Sequence, residues 1–383
     1  MRYYITSSDN AMNTAIDNII GGNTAVSVST VTINSTDPNC LGATTTSLAV
    51  NDLFEAGIPH FQAAGNVSNV STTDCNVQPP GSAIGAFTVG AHGNSIFGDV
   101  NAVRTDSIWD RTSVGQKASA HGGYDWQDGR HRSIIDITAY ACRRNMFDRN
   151  GGYGSSDCGT SFSTPTVAAA ALDFMDFYRA ETGSSLMEDP GILYATLLLM
   201  GDRQSLAGGK LSSRFDHRFG AGRLQMRKFD DAGMDIPTFG DWEFVAGKVC
   251  VDWGQTVELD VYNGASIPSD MDDLKGVIWW YDSWHETGAA IANIDMKLVQ
   301  TAPTAATLKT STDLYDNKER VFVNYGLGSI SGQKLKVQLI GTHVTNDTSG
   351  CDVNSMMVYY AWFMEDDDRD DSDGPTATEI YPE

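Results

Sequence analysis

The run Gly159-Thr160-Ser161-Phe162-Ser163-Thr164-Pro165-Thr166-Val167-Ala168-Ala169-Ala170 holds the residue types best suited to chemistry. A serine stands at a glycine-containing turn that feeds an alanine-rich helix. Small residues there let another backbone come close. Pro165 reads as part of the first helical turn, where its missing N–H is no loss. Ser161 then lies at the positive end of the helix dipole, with its own N–H facing out of the turn. Such a setting favours negative charge developing on an attacked carbonyl. A serine hydroxyl also needs a base to take its proton, and the base needs an orienting carboxylate. The pattern G-x-S-x-G with its strained elbow is absent, which argues against a different serine hydrolase.

The elements that must carry this serine are legible around it. Residues Ala11 to Ile20 have apolar positions at helical spacing and stop at Gly21-Gly22. Ala25 to Val31 alternates and is β-branched, hence a strand, and Ser47 to Glu55 reads as a helix. Ile58 to Ala64, Phe87 to Ala91 and Ser133 to Ile137 read as strands, Pro165 to Ala180 and Pro190 to Met200 as helices. Strands alternating with helices predict an α/β fold, a doubly wound, mainly parallel sheet over residues 1–230. Asp230 to Pro237 reads as a linker. Beyond it period-two alternation dominates, as in Val249, Val251 and Trp253 or Leu335, Val337 and Leu339. That texture predicts an antiparallel, jelly-roll-like β-sandwich over residues 231–364, followed by a solvated acidic tail over residues 365–383.

The serine run resembles the nucleophile motif of the subtilase (subtilisin-like serine peptidase) family, G-T-S-x-[AS]-x-P-x-V-A, at every fixed position. Gln62-Ala63-Ala64-Gly65-Asn66 is similar to that family's A-A-G-N segment, whose Asn side chain completes the oxyanion hole. The resemblance thus implies that Ser161 is the nucleophile, and that the Asn66 side chain and the Ser161 N–H hold the oxyanion. Phe87-Thr88-Val89-Gly90-Ala91 resembles the T-V-G-A strand, and Ile135-Asp136-Ile137-Thr138-Ala139 the D-V-x-A-P-G strand without its P-G. Phe219-Gly220-Ala221-Gly222-Arg223-Leu224 resembles the closing motif of the catalytic domain. The family strand M-S-L-G-G pairs its backbone with substrate. Its counterpart here is Val28-Ser29-Thr30-Val31-Thr32, so Ser29, Thr30 and Val31, with Gly159, are the implied substrate-binding residues, although the glycines are missing. The likeness covers about Asn10 to Lys228. It continues in a looser form at Val277 to Asp282 and Ala292 to Leu298, which resemble strands of the sandwich that follows some subtilase domains.

The family's other two catalytic residues lie in D-[ST]-G and G-H-G-T-H, and neither string occurs. The catalytic Asp and His are therefore expected upstream of Met1, with the first part of the subtilisin-like sheet, and this chain alone is expected to be nearly inactive. His60 sits in a strand that packs into the sheet, and His92 falls on the wrong side of Asn66, so neither is expected to substitute. The resemblance implies an endopeptidase that cleaves protein or peptide substrates through an acyl-enzyme, acts as a monomer and needs no cofactor for catalysis. Structural calcium at the paired Asp and Asn residues of the sandwich is possible on the same grounds, and no metal ligand is assigned. The second reading is a catalytically inactive subtilase-fold binding or scaffolding protein.

Composition narrows the partners. With 49 Asp and Glu against 26 Lys and Arg, the net charge is −23, which disfavours nucleic acid and anionic membrane. No apolar run is long enough to span a bilayer, and no secretory signal is visible near Met1. Six scattered cysteines without a C-x-x-C pair fit disulfides and an extracellular protein. Pairing of sequence neighbours is expected: Cys40 with Cys75, Cys142 with Cys158, and Cys250 with Cys351. Sequons occur at Asn34, Asn66, Asn69 and Asn346, and a glycan on Asn66 would block the oxyanion role.

Overall fold

The computed structural model describes residues 15–17, 19–21, 27–29, 42–67, 76–93, 112–113, 133–147, 153–202, 215, 218–225, 242–269, 273–282, 292–312, 316–323, 330–344 and 350–365. For residues 29, 143–147, 153–157, 202, 242–243 and 365 it describes the backbone alone. Thr30, Val31, Cys40, Cys75, the linker and the tail beyond Glu365 lie outside the described residues.

The first half contains β1 (Ser27–Ser29), α1 (Thr45–Glu55), β2 (His60–Ala63), β3 (Ala86–His92) and β4 (Ile137–Tyr140). A hairpin of β5 (Cys142–Phe147) and β6 (Tyr153–Cys158) leads into α2 (Thr160–Thr182) and α3 (Pro190–Leu199). The short strands β7 (Gly201–Asp202) and β8 (Arg223–Leu224) close this half. The sheet order is β1-β2-β3-β4-β8-β7, parallel from β1 to β8, with β7 antiparallel at the edge. β3 is buried at all seven positions, as a central strand of a covered parallel sheet must be. Residues 15–17 and 19–20 are helical, and the Gly21 N–H reaches the Asp17 carbonyl at 3.0 Å.

Two sequence-based boundaries move. Helix α2 begins at Thr160, so Pro165 lies inside it rather than in its first turn. The hydroxyls of Ser163 and Thr164 donate to the Thr160 carbonyl at 3.0 and 2.8 Å, winding the helix ahead of the proline. Pro165 only removes the donor that the Ser161 carbonyl would meet one turn on. Strand β4 begins at Ile137, because the Asp136 carboxylate accepts the Thr88 N–H at 2.7 Å where a ladder carbonyl would otherwise stand.

The second half is a β-sandwich. Its strands are β9 (Trp242–Asp252), β10 (Thr256–Asp260), β11 (Asp273–Trp280), β12 (Asn293–Ala302), β13 (Ala306–Ser311), β14 (Lys318–Val323), β15 (Lys334–His343) and β16 (Ser355–Glu365). They form two four-stranded antiparallel sheets, β10-β15-β12-β13 and β14-β11-β16-β9. Leu274, Ile278 and Trp280 of β11 point into the core between these sheets, whereas Val277 and Trp279 join the core of the first half. β11 is thus buried on both faces. Every residue of α3 is buried too, as a helix that is apolar all round requires.

Disulfides Cys142–Cys158 and Cys250–Cys351 are present, as the neighbour pairing predicts. The first joins directly opposed residues of the β5–β6 hairpin. Among the described residues no helix is long and apolar enough to cross a membrane.

Candidate active site

Two loops converge at the ends of β2 and β6. The first leaves β2 through Ala64 and turns at Gly65, whose φ of +105° is one that glycine adopts without strain. The next residue, Asn66, is exposed. The second leaves β6 at Cys158 and enters α2 through Gly159, Thr160 and Ser161. The hairpin ladder continues into this turn, for the Gly159 N–H donates to the Ala141 carbonyl at 2.8 Å.

One side chain locks the two loops together. Asn66 Oδ1 accepts the Thr160 N–H at 2.9 Å and the Thr160 hydroxyl at 3.0 Å. Both are donors, so the oxygen of the amide faces Thr160 and the Nδ2 group faces the other way. Thr160 Oγ1 in turn accepts the Gly65 N–H at 3.2 Å. A side chain on Gly159 would place its Cβ 3.2 Å from Asn66 Nδ2 and 3.6 Å from both Asn66 Oδ1 and the Ser161 nitrogen. The φ of 170° at Gly159 is ordinary extended backbone, so the glycine is there for space. Two N–H groups border that space. One belongs to Ser161, the second residue of a 23-residue helix, in its first turn, where the dipole is positive. The Ser161 side chain is half-buried.

Ser161, Asn66 and Gly159 of the predicted site are therefore brought together. Ser29 ends β1, next to β2 in the sheet, and its side chain is not described; Thr30 and Val31 fall outside the described residues. His60 is buried with Nδ1 2.9 Å from Ser27 Oγ and Nε2 3.2 Å from Gln62 Oε1. Gln62 gives its Nε2 to the Ala63 carbonyl, so its Oε1 accepts and His60 carries its proton on Nε2. Burial lowers the His60 pKa to about 4, against a smaller upward pull from Gln62. His92 is buried with Nδ1 3.3 Å from Thr138 Oγ1. Burial, then the Arg223 charge, lower its pKa to about 3. Both rings are neutral at pH 7 and enclosed by the sheet.

Thr112 and Ser113 escaped the sequence reading. They lie in a polar stretch and carry no motif, yet both are buried against this site. Among the described residues no group of three or more His, Cys, Asp or Glu side chains could hold a metal ion.

An α/β sheet that brings a serine at a helix N-terminus and an asparagine amide to one small space defines a subtilisin-like arrangement. The chain belongs to the subtilase family of peptidases, whose model matches residues 5–222, more than half its length. No curated protein matches it significantly. Among solved structures, the PatG macrocyclase in complex with peptide is 14% identical, with a TM-score of 0.38, covering 58% of this chain and 55% of its own. A protease from Pseudoalteromonas arctica is 16% identical, with a TM-score of 0.33, covering 52% of this chain and 49% of its own. Tripeptidyl peptidase 2 is 10% identical, with a TM-score of 0.36, covering 93% of this chain and 36% of its own. The chain spans about a third to just over half the length of these structures.

Proposed function

We propose that this chain carries the nucleophile and oxyanion parts of a secreted serine endopeptidase. Ser161 Oγ attacks a peptide carbonyl and its proton passes to a histidine base, which an aspartate orients; both are supplied by sequence outside this chain. The carbonyl oxygen, now negative, sits between Asn66 Nδ2 and the Ser161 N–H. Collapse expels the amine, which takes the proton, and leaves an acyl-enzyme that water hydrolyses. What carries this reading is the convergence of Asn66 Nδ2 and the Ser161 nitrogen at Gly159, where the lack of a side chain leaves room between them. Asn66 is held there by its oxygen, leaving its N–H for the developing charge. Disulfides such as Cys142–Cys158 persist in oxidising compartments, which supports secretion.

The test is a fluorophosphonate probe applied to the protein as its own cells produce it, with the labelled peptide mapped by mass spectrometry. Label on Ser161, abolished by Ser161→Ala, is the expected result. A folded protein that takes up no label would instead be an inactive subtilase-fold binding module.

A further inference from the structure

Thr112 and Ser113 reach the site from the long connection between β3 and β4, and both are fully buried. Thr112 Oγ1 accepts the Ala91 N–H near the end of β3 at 3.1 Å, and its hydroxyl is directed to the Ser113 carbonyl at 3.4 Å. The Ser113 N–H donates to the Gly65 carbonyl at 2.9 Å. That carbonyl lies in the peptide plane joining Gly65 to Asn66. The plane on the other side of Gly65 is held by its N–H, which donates to Thr160 Oγ1 at 3.2 Å. With no side chain, Gly65 has little steric restraint of its own, so these two bonds fix the backbone from which the Asn66 side chain reaches Thr160. The same strand end serves the other loop. The His92 carbonyl accepts the Ala141 N–H at 2.9 Å, and the Ala141 carbonyl accepts the Gly159 N–H at 2.8 Å. The end of β3 therefore reaches the Asn66 loop through Thr112 and Ser113, and the Ser161 turn through Ala141.

We infer that Thr112 and Ser113 form a strut that aims the Asn66 amide, which makes Thr112 a positioning residue for oxyanion stabilisation. The inference rests on the serine-peptidase reading above. Removing an oxyanion donor outright lowers kcat by about 10²–10³, so a donor left in place but misaimed is expected to lose about 10-fold. Thr112→Val keeps the shape of the side chain and removes the acceptor of the Ala91 N–H; Thr112→Ser retains it.

The experiment measures the fluorophosphonate rate per titratable Ser161, together with kcat and KM on a peptide amide, in the protein as its cells produce it. In Thr112→Val the per-site rate and kcat are expected to fall about 10-fold with KM within about twofold, and Thr112→Ser is expected to keep most of the rate. In an Asn66→Ala background Thr112→Val is expected to add nothing further, because it acts through Asn66. If Thr112→Val does not fold, Thr112→Ala removes the same acceptor, leaves room for a water and carries the same comparison. A merely structural role would lower the fraction of titratable protein and leave the per-site rate intact, and that result overturns the inference. Additive losses in the Asn66→Ala background overturn it as well. Absence of label on the unaltered protein would overturn the peptidase reading and this inference together, whereas labelling with an unaffected Thr112→Val rate removes this inference alone.

Discussion

At the scale of single residues, the site is made by what fills the space around Gly159. A Cβ there would stand 3.2 Å from Asn66 Nδ2, closer than most real contacts of that kind, so the amide would have to move. The Asn66 oxygen is tied to Thr160 on the far side, and the amide cannot retreat without losing those bonds. Gly159→Ala is therefore expected to slow phosphonylation of Ser161 by about 10²-fold, the effect of losing one donor, with an almost unchanged unfolding midpoint. An alanine variant labelled at the unaltered rate would show that no oxyanion forms in that space. Ser161, Asn66 and Gly159 were legible in the sequence because each sits in a contiguous motif. Thr112 and Ser113 were not. One contributes a hydroxyl and the other a backbone N–H, and neither leaves a pattern of residue types at a spacing.

At the scale of elements, the central strands carry ionisable groups that burial keeps neutral. His60 on β2 has a folded pKa of about 4 and His92 on β3 one of about 3, both below the ordinary value of 6.5. The unfolded chain therefore binds these protons more readily than the folded one. Stability from the neutral rings is fully present above pH 6.5 and is lost as the pH falls from there towards the folded values. Each histidine contributes a slope approaching about 1.4 kcal/mol per pH unit within that window. His60→Gln is expected to flatten the decline in urea-unfolding free energy between pH 6.5 and 4.5 by about one such slope. An unaltered decline would mean that His60 is protonated in the folded protein. β1 was legible from alternation and β-branching and β2 and β3 as short strands, but the strand expected at Ser133 to Ile137 shares only Ile137 with β4, and the β5–β6 hairpin carried no expectation. A side-chain carboxylate from Asp136 takes the place of a ladder carbonyl before β4. Two hydroxyls start α2 five residues ahead of Pro165. Local competition of this kind lies below what periodicity can resolve.

At the scale of the whole molecule, the sandwich and the parallel-sheet half share one core. Tyr194 of α3 packs its ring 5.3 Å from that of Trp279 on β11 and 5.1 Å from that of Phe87 on β3. Lysines of the sandwich hold both ends of α3. Lys248 pairs at 2.8 Å with Asp189, whose carboxylate caps the helix start, and Lys275 donates to the Leu199 carbonyl at its end. Deeper in, the fully buried Lys318 of β14 pairs at 2.6 Å with Asp136 and donates to the Ser133 carbonyl at 2.5 Å. The resemblance at Val277 to Asp282 marked a strand but not the partner of its outer face, so this docking was invisible in the sequence. A shared core makes the two halves one cooperative unit, expected to unfold in a single calorimetric transition. Lys318→Met would strand the Asp136 charge in the interior and lower stability by about 3–5 kcal/mol, whereas pairing it with Asp136→Asn, which is uncharged and keeps an acceptor for the Thr88 N–H, would recover most of that loss. Two separate transitions, or a Lys318→Met midpoint equal to that of the unaltered chain, would show the halves to be independent.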